Sequence, residues 1–128
     1  MQITVPLPID VDGRRVGSET TVTRHGGYVV AISTVIPERP FAVELHSTYV
    51  GHPDGDTIST ELVLALALDE PRSDTRRHHS PDMDVLGKPR NCLYDHAMQL
   101  QEFLAGALAH DARIHVGAGA IAALEPLA

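Results

Sequence analysis

The chain has 128 residues, enough for one domain, since domains commonly hold roughly 100–200 residues. Apolar residues make up 43% and charged residues 21%, a globular rather than disordered balance. Ten Lys and Arg against seventeen Asp and Glu leave a formal charge of −7, which argues against a broad surface for nucleic acid polymers, and without Trp the chain has little for base stacking.

Ile3, Val5, Leu7, Ile9 and Val11 alternate with more polar positions, the period of a half-buried strand over residues 2 to 11. Pro6 and Pro8 share the other parity, which an edge strand tolerates and a central one does not. Asp12-Gly13 reads as a type I′ hairpin turn, because both residues accept positive φ. The return strand runs from about Arg15 to Thr23, rich in β-branched residues. After Arg24-His25-Gly26-Gly27, Tyr28 to Ile32 forms a third strand, and Phe41, Val43 and Leu45 mark a fourth beyond Pro37 and Pro40. Gly51-His52-Pro53-Asp54-Gly55 is a turn cluster, and Ile58, Leu62, Leu64, Leu66 and Leu68 share one parity in a fifth strand.

From Asp69 to Arg90 the chain is polar and broken by Pro71, Pro81, Gly87 and Pro89, which reads as one long surface loop. The period then changes. Leu93, Ala97, Leu100, Leu104, Ala107 and Leu108 recur at spacings of three and four, predicting an amphipathic helix over 91–110 with Asn91 as N-cap. Residues 111–128 form a short C-terminal segment in which Ile114 to Val116 adds a last strand. The expected fold is α+β and mainly β: a single domain over 1–128, an antiparallel barrel or sandwich of five to six strands (about 2–68) with one long C-terminal helix.

No apolar run approaches the roughly 18 residues that span a bilayer, so no membrane partner is expected. The start of the chain lacks the basic and apolar regions of a secretory signal, and the lone Cys92 forms no internal disulfide, so a cytoplasmic location is expected.

Two groups of residues carry candidate chemistry. In Thr20-Thr21-Val22-Thr23-Arg24-His25-Gly26-Gly27-Tyr28 a hydroxyl-rich strand runs into a basic, glycine-containing turn. Such a turn can present N–H groups, hydroxyls and a guanidinium to a phosphate or carboxylate; an ordinary hairpin turn has the same composition. The second group joins His78 and His79, with Asp82 and Asp84 in the same stretch, to Cys92 and His96 on the helix. Cys92 and His96 lie four apart on one face, a workable spacing for one metal ion, which gives the alternative of a small metal-binding protein or metal-dependent enzyme. Gly117-Ala118-Gly119-Ala120-Ile121-Ala122 fits the dinucleotide fingerprint Gly-x-Gly-x-x-Ala, but the parallel strand and later acidic residue that the fingerprint requires are missing up to Ala128. No Gly-x-Ser-x-Gly elbow or oriented Cys–His pair stands out, so no enzyme, no catalytic residue and no cofactor is assigned.

The segment Thr21-Val22-Thr23-Arg24-His25-Gly26 resembles the signature of the PilZ domain, a small β-barrel with a C-terminal helix that binds cyclic di-GMP. The family's pattern of Asp or Asn, any residue, Ser, two residues and Gly falls on Thr21, Thr23 and Gly26, and Thr23-Arg24-His25-Gly26 looks like its Ser-Arg-His-Gly variant. The likeness covers about residues 2 to 68. It implies a regulatory module with Thr21, Thr23, Arg24, His25 and Gly26 at the ligand and Arg24 on the phosphate. Thr21 and Thr23 depart from the family's residues, and the two arginines that precede its first strand have no counterpart here. With those arginines missing, the expectation is a non-catalytic regulatory or protein-interaction module, with a cyclic dinucleotide or a protein as its partner. Met98, Phe103 and Tyr94 widen the helix's apolar stripe beyond what packing on a barrel requires, which predicts a homodimer through this helix or the first strand's edge.

Overall fold

A computed structural model describes residues 2–25, 28–37, 43–52, 55–66, 70–80, 89–106 and 109–124. In chain order the elements are β1 (Gln2–Val5), β2 (Ile9–Val11), β3 (Arg14–Val16), β4 (Glu19–His25), β5 (Tyr28–Ile36), β6 (Val43–His52), β7 (Gly55–Leu66) and β8 (Glu70–Ser80), then helix α1 (Pro89–Gly106), strand β9 (Ala112–Ile114) and helix α2 (Ala118–Leu124). The fold is mainly β, as the patterning implies, but nine strands stand among the described residues where five to six were expected. The last strand is Ala112–Ile114 rather than Ile114 to Val116, and a second helix, α2, forms in the C-terminal segment expected to hold none.

The strands form two antiparallel sheets: a six-stranded sheet in the order β1-β4-β5-β6-β7-β8 and a three-stranded one in the order β3-β2-β9. The larger sheet ends at β1 and at β8 among the described residues, so the arrangement is sandwich-like and the barrel alternative is not realised. No described helix is long and apolar enough to cross a membrane.

The expected first hairpin forms, but it bends. Its outer half, β2 with β3, belongs to the small sheet, and its inner half, β1 with β4, belongs to the large one. The break falls at Pro6–Pro8 on one arm and at Gly17–Ser18 on the other. Two prolines cannot donate to a ladder, so the continuous strands expected over 2–11 and 15–23 each become two. The apolar parity survives the bend: Val5, Leu7, Ile9 and Val11 are all buried. Asp12 and Gly13 close the hairpin with φ of 53° and 79°, the positive pair that a type I′ turn requires.

The loop expected over 69–90 is corrected: Glu70–Ser80 is a strand, paired along its length with β7 from Asp56↔Ser80 to Leu66↔Glu70. Its pairing with an apolar neighbour outweighs the absence of alternation in its own sequence. Of the other turn and loop positions, Pro40, Phe41, Pro53, Asp54, Leu68, Asp69, Pro81, Asp82, Asp84 and Gly87 lie outside the described residues.

The helix begins at Pro89 rather than after Asn91, so Asn91 is inside the first turn and not its cap. A proline is favoured in a first turn, because its missing N–H has no helical partner there. Cys92, Leu93, His96, Ala97, Leu100, Phe103 and Leu104 face inward at spacings of one and three. The expected stripe positions Ala107 and Leu108 lie outside the described residues. Beyond them Ala109 adopts φ 56°, and the His110 N–H donates to the Leu104 carbonyl.

The interior holds two apolar clusters. One joins Ile9, Val11 and Val16 of the small sheet to Ile36, Val43 and Leu45 of the large sheet and to Leu100, Phe103 and Leu104 of α1. The other joins Val5, Leu7, Val22, Val29 and Ile32 to Cys92 and Leu93 and to Ala120 and Leu124 of α2. Each fully buried Leu or Ile in them contributes on the order of 1.5–3 kcal/mol of burial free energy.

Candidate functional site

The Thr21–Gly26 segment occupies β4 and its end. A register shift sits at this end: Thr23 pairs with Ala31 and Arg24 with Val29, so Val30 opposes no partner. Such a bulge lets β4 keep its alternation while β5 carries one residue more. Val22 and Arg24 therefore face inward, and Thr21 and Thr23 are half-buried on the opposite parity. Arg24 is only 3% exposed, and its Nη1 donates to the carbonyl of Leu124 at 2.9 Å. The guanidinium thus fastens the last residue of α2 to the sheet, across 100 residues of sequence. His25 pairs with Tyr28 across the strand end, and Gly26 lies outside the described residues.

Thr21 lines a cleft of about 410 Å³ with Gly17, Ser18, Glu19, Ser33, Val35 and Pro37. Thr21 and Ser33 are direct cross-strand partners there, as are Glu19 and Val35. Its charged side chain is a carboxylate, which repels phosphate and suits a neutral or cationic group.

The metal-candidate residues are separated by role. His96 is fully buried (0% exposed) and both ring nitrogens are engaged: Nε2 with Thr34 Oγ1 and Nδ1 with Ser47 Oγ, each at 2.7 Å. Thr34 Oγ1 also meets Thr20 Oγ1 at 2.8 Å. Burial, with a smaller contribution from His46, lowers the His96 pKa to about 3, so its imidazole is neutral. One ring nitrogen then donates and the other accepts, which the adaptable hydroxyls permit. Cys92 is buried one turn away in the second apolar cluster, where burial, and then Asp95, pushes its thiol up to about 12. A thiol held protonated is a poor metal ligand and nucleophile. His78 and His79 are placed in β8, opposite Ile58 and Thr57. Among the described residues, no three His, Cys, Asp or Glu side chains gather as metal ligands.

This buried chain of hydroxyls and imidazole lies at the seam between the two apolar clusters. On α1, His96 falls between Leu93 of one and Leu100 of the other; on β5, Thr34 falls between Ile32 and Ile36. Each polar group finds its partner only when β4, β5, β6 and α1 are in register, so the network specifies the packing of helix on sheet. Thr20, Thr34 and Ser47 carried no sequence signal beyond their parity with buried apolar residues.

A second polar cluster, also missed in the sequence, ties the chain's two ends. Asp10 of β2 accepts from Arg15 Nε at 2.6 Å and from His115 Nε2 at 2.8 Å. Asp12 accepts from His110 Nδ1 at 2.7 Å and from the Asp111 N–H at 2.9 Å, and its own N–H donates to the Asp111 carbonyl. The bonds from Arg15 and His115 hold the Asp10 pKa below its ordinary value, and those from His110 and Asp111 do the same for Asp12. These contacts reinforce the three-residue pairing of β2 with β9. His110, Asp111 and His115 stand some hundred positions from Asp10 and Asp12, so their contacts leave no local motif.

On α1 the outward row is different in kind. Tyr94 is 47% and Met98 54% exposed, the two large apolar side chains left in solvent among the residues whose side chains the structure describes. They are four apart, hence neighbours on one helical face. Phe103, expected beside them, is buried in the core instead.

No family model, no curated protein and no solved structure matches the chain.

Proposed function

We propose that the chain is a non-catalytic protein-interaction module whose contact face includes the Tyr94–Met98 row of α1, and that it meets a second copy of itself there. The observation that carries this reading is the exposure of those two side chains on a helix whose inward face is already filled by seven buried residues. Aromatic residues and methionine are the types enriched where proteins meet. The outer edge of β1, at one end of the large sheet, pairs with no further strand among the described residues and lends a second element to the same association. A cytoplasmic setting suits a chain whose single cysteine is a buried thiol.

The PilZ resemblance supports the same class of non-catalytic module and adds cyclic di-GMP as a ligand at the Thr21–Gly26 turn. Two features weigh toward the protein partner: Arg24 is bound to the Leu124 carbonyl, and Glu19 lines the cleft beside Thr21. Calorimetric titration with cyclic di-GMP is expected to give no heat; binding abolished by Arg24→Ala would replace the protein-contact reading with the nucleotide one.

Peroxide footprinting tests the contact itself. Met98 oxidation to the sulfoxide, read by peptide mass spectrometry, is expected to slow as protein concentration rises, because association covers the thioether. A rate independent of concentration would remove Met98 from any self-contact.

A further inference from the structure

We propose that the cleft between β4 and β5 is a binding site for a small primary amine, its ammonium held at Glu19, Thr21 and Ser33 and its aliphatic stem laid along Val35 and Pro37. This adds a small-molecule ligand to the protein-interaction reading and does not depend on it. Thr20 and Thr34 belong to the inward hydroxyl chain that ends on His96 of α1. Their sequence neighbours Thr21 and Ser33 therefore stand on the opposite face of the large sheet, away from the helix.

The cleft has a concavity that a flat sheet face lacks. β4 begins just after Gly17 and Ser18, β5 ends just before Pro37, and all three residues line the space of about 410 Å³. Two cross-strand pairs complete the lining, Glu19↔Val35 and Thr21↔Ser33. Partners across an antiparallel pair stand about 5 Å apart at Cβ, and same-face residues along a strand about 7 Å. The four side chains thus mark a small rectangle: a carboxylate and an isopropyl group at one end, two hydroxyls at the other.

That set selects its ligand. Ser18 Oγ donates to the Leu7 carbonyl, whereas the side chains of Glu19, Thr21 and Ser33 make no hydrogen bond or ion pair among the described residues. Three acceptor groups in this arrangement match the three N–H donors of a primary ammonium. Val35 and Pro37 offer apolar surface for a few methylene groups beside it. Among the described residues no lysine or arginine lines the cleft, so an anion finds no counter-charge there. The neighbouring strands keep that balance. On β6, Glu44 pairs with Val35 and His46 with Ser33, and these two side chains meet each other at 3.4 Å, so the imidazole is set against Glu44. On β1, the residue opposite Thr21 is the uncharged Thr4. The formal charge of −7 over the chain favours encounter with a cation.

Titration of the isotope-labelled full chain with n-butylamine, followed by amide chemical shifts, tests this. Saturable shifts are expected within 17–21 and 33–37. Three comparison ligands are expected to give none there: n-butanol lacks the charge, butyrate reverses it, and tetramethylammonium carries it without N–H donors. Glu19→Gln keeps the shape and removes the charge, and is expected to weaken binding about tenfold; Ser33→Ala is expected to weaken it about threefold. Circular dichroism confirms that both variants fold. Equal saturation by tetramethylammonium, or shifts spread evenly over other acidic positions, would reduce the effect to charge attraction and overturn the site. Tighter binding of a capped lysine amide than of butylamine would overturn the free amine as ligand and give the cleft to a polypeptide side chain. Absence of saturable shifts at the cleft overturns the proposal even where Met98 remains protected by self-association, which separates its failure from that of the interaction reading.

Discussion

His96 joins α1 to β5 and β6 at the seam between the two apolar clusters. A neutral imidazole between two hydroxyls contributes little net free energy when all three are paired, but removing one partner strands the others in an apolar seam. His96→Leu is expected to cost about 2 kcal/mol in urea denaturation, and adding Thr20→Val, Thr34→Val and Ser47→Ala together, which leaves no hydroxyl of the chain stranded, should recover most of it. An unrecovered loss would mean that ring shape rather than hydrogen bonding sets the cost. The titration has a definite sign. In the unfolded chain this imidazole takes up a proton near pH 6.5, whereas in the folded chain it resists protonation down to about 3. As pH falls through that window the unfolded state binds the extra proton, so stability falls by up to about 1.4 kcal/mol per pH unit. His96→Leu should flatten that part of the profile. Arg24 acts at the same scale: Arg24→Met keeps the buried stem and removes the charged bond to Leu124, at a cost of about 2 kcal/mol. Faster amide exchange confined to α2 would mark the role; unchanged exchange there would contradict it.

At the scale of elements, parity proved more legible than continuity. Alternation along 2–11 correctly placed four apolar residues inward, but it could not show that Pro6 and Pro8 mark the passage from one sheet to the other. The helix was legible because Leu93, Ala97, Leu100 and Leu104 repeat at helical spacing, and all four are buried. β8 was not legible. An edge strand needs no apolar alternation when a neighbour supplies its ladder, so Glu70 to Ser80 reads as loop until β7 is set beside it. The candidate site fared similarly: Thr21 to Gly26 was visible as a motif, while the inward parity of Arg24 and its bond to Leu124 depend on a contact no local pattern encodes. The joint between β2 and β9 yields its own prediction. Asp12 combines a positive φ with three hydrogen bonds, so Asp12→Asn keeps the backbone tolerance and an acceptor for the Asp111 N–H but loses the charge facing His110. Asp12→Ala loses all but the main-chain bond. Thermal midpoints should rank Asp above Asn above Ala. The charge-dependent part is present above the ordinary carboxylate pKa and is lost as pH falls through the lowered pKa of Asp12, so acid should narrow the gap between Asp and Asn.

The whole molecule is a bent hairpin shared by two sheets, with one long helix laid over the large sheet and the C-terminal segment returning to the small one. Its polar groups divide by depth. The buried ones specify packing and those at the β2–β9 joint tie β2 to the segment around β9, while the exposed apolar pair on α1 is the face proposed to meet a second copy. Static light scattering of the wild-type chain beside a Tyr94→Glu and Met98→Glu variant measures that last role directly. The interaction reading predicts a wild-type mass of two chains that falls to one in the variant, with unchanged circular dichroism. A wild-type mass of one chain across the micromolar range, or an equal mass for both proteins, would contradict it.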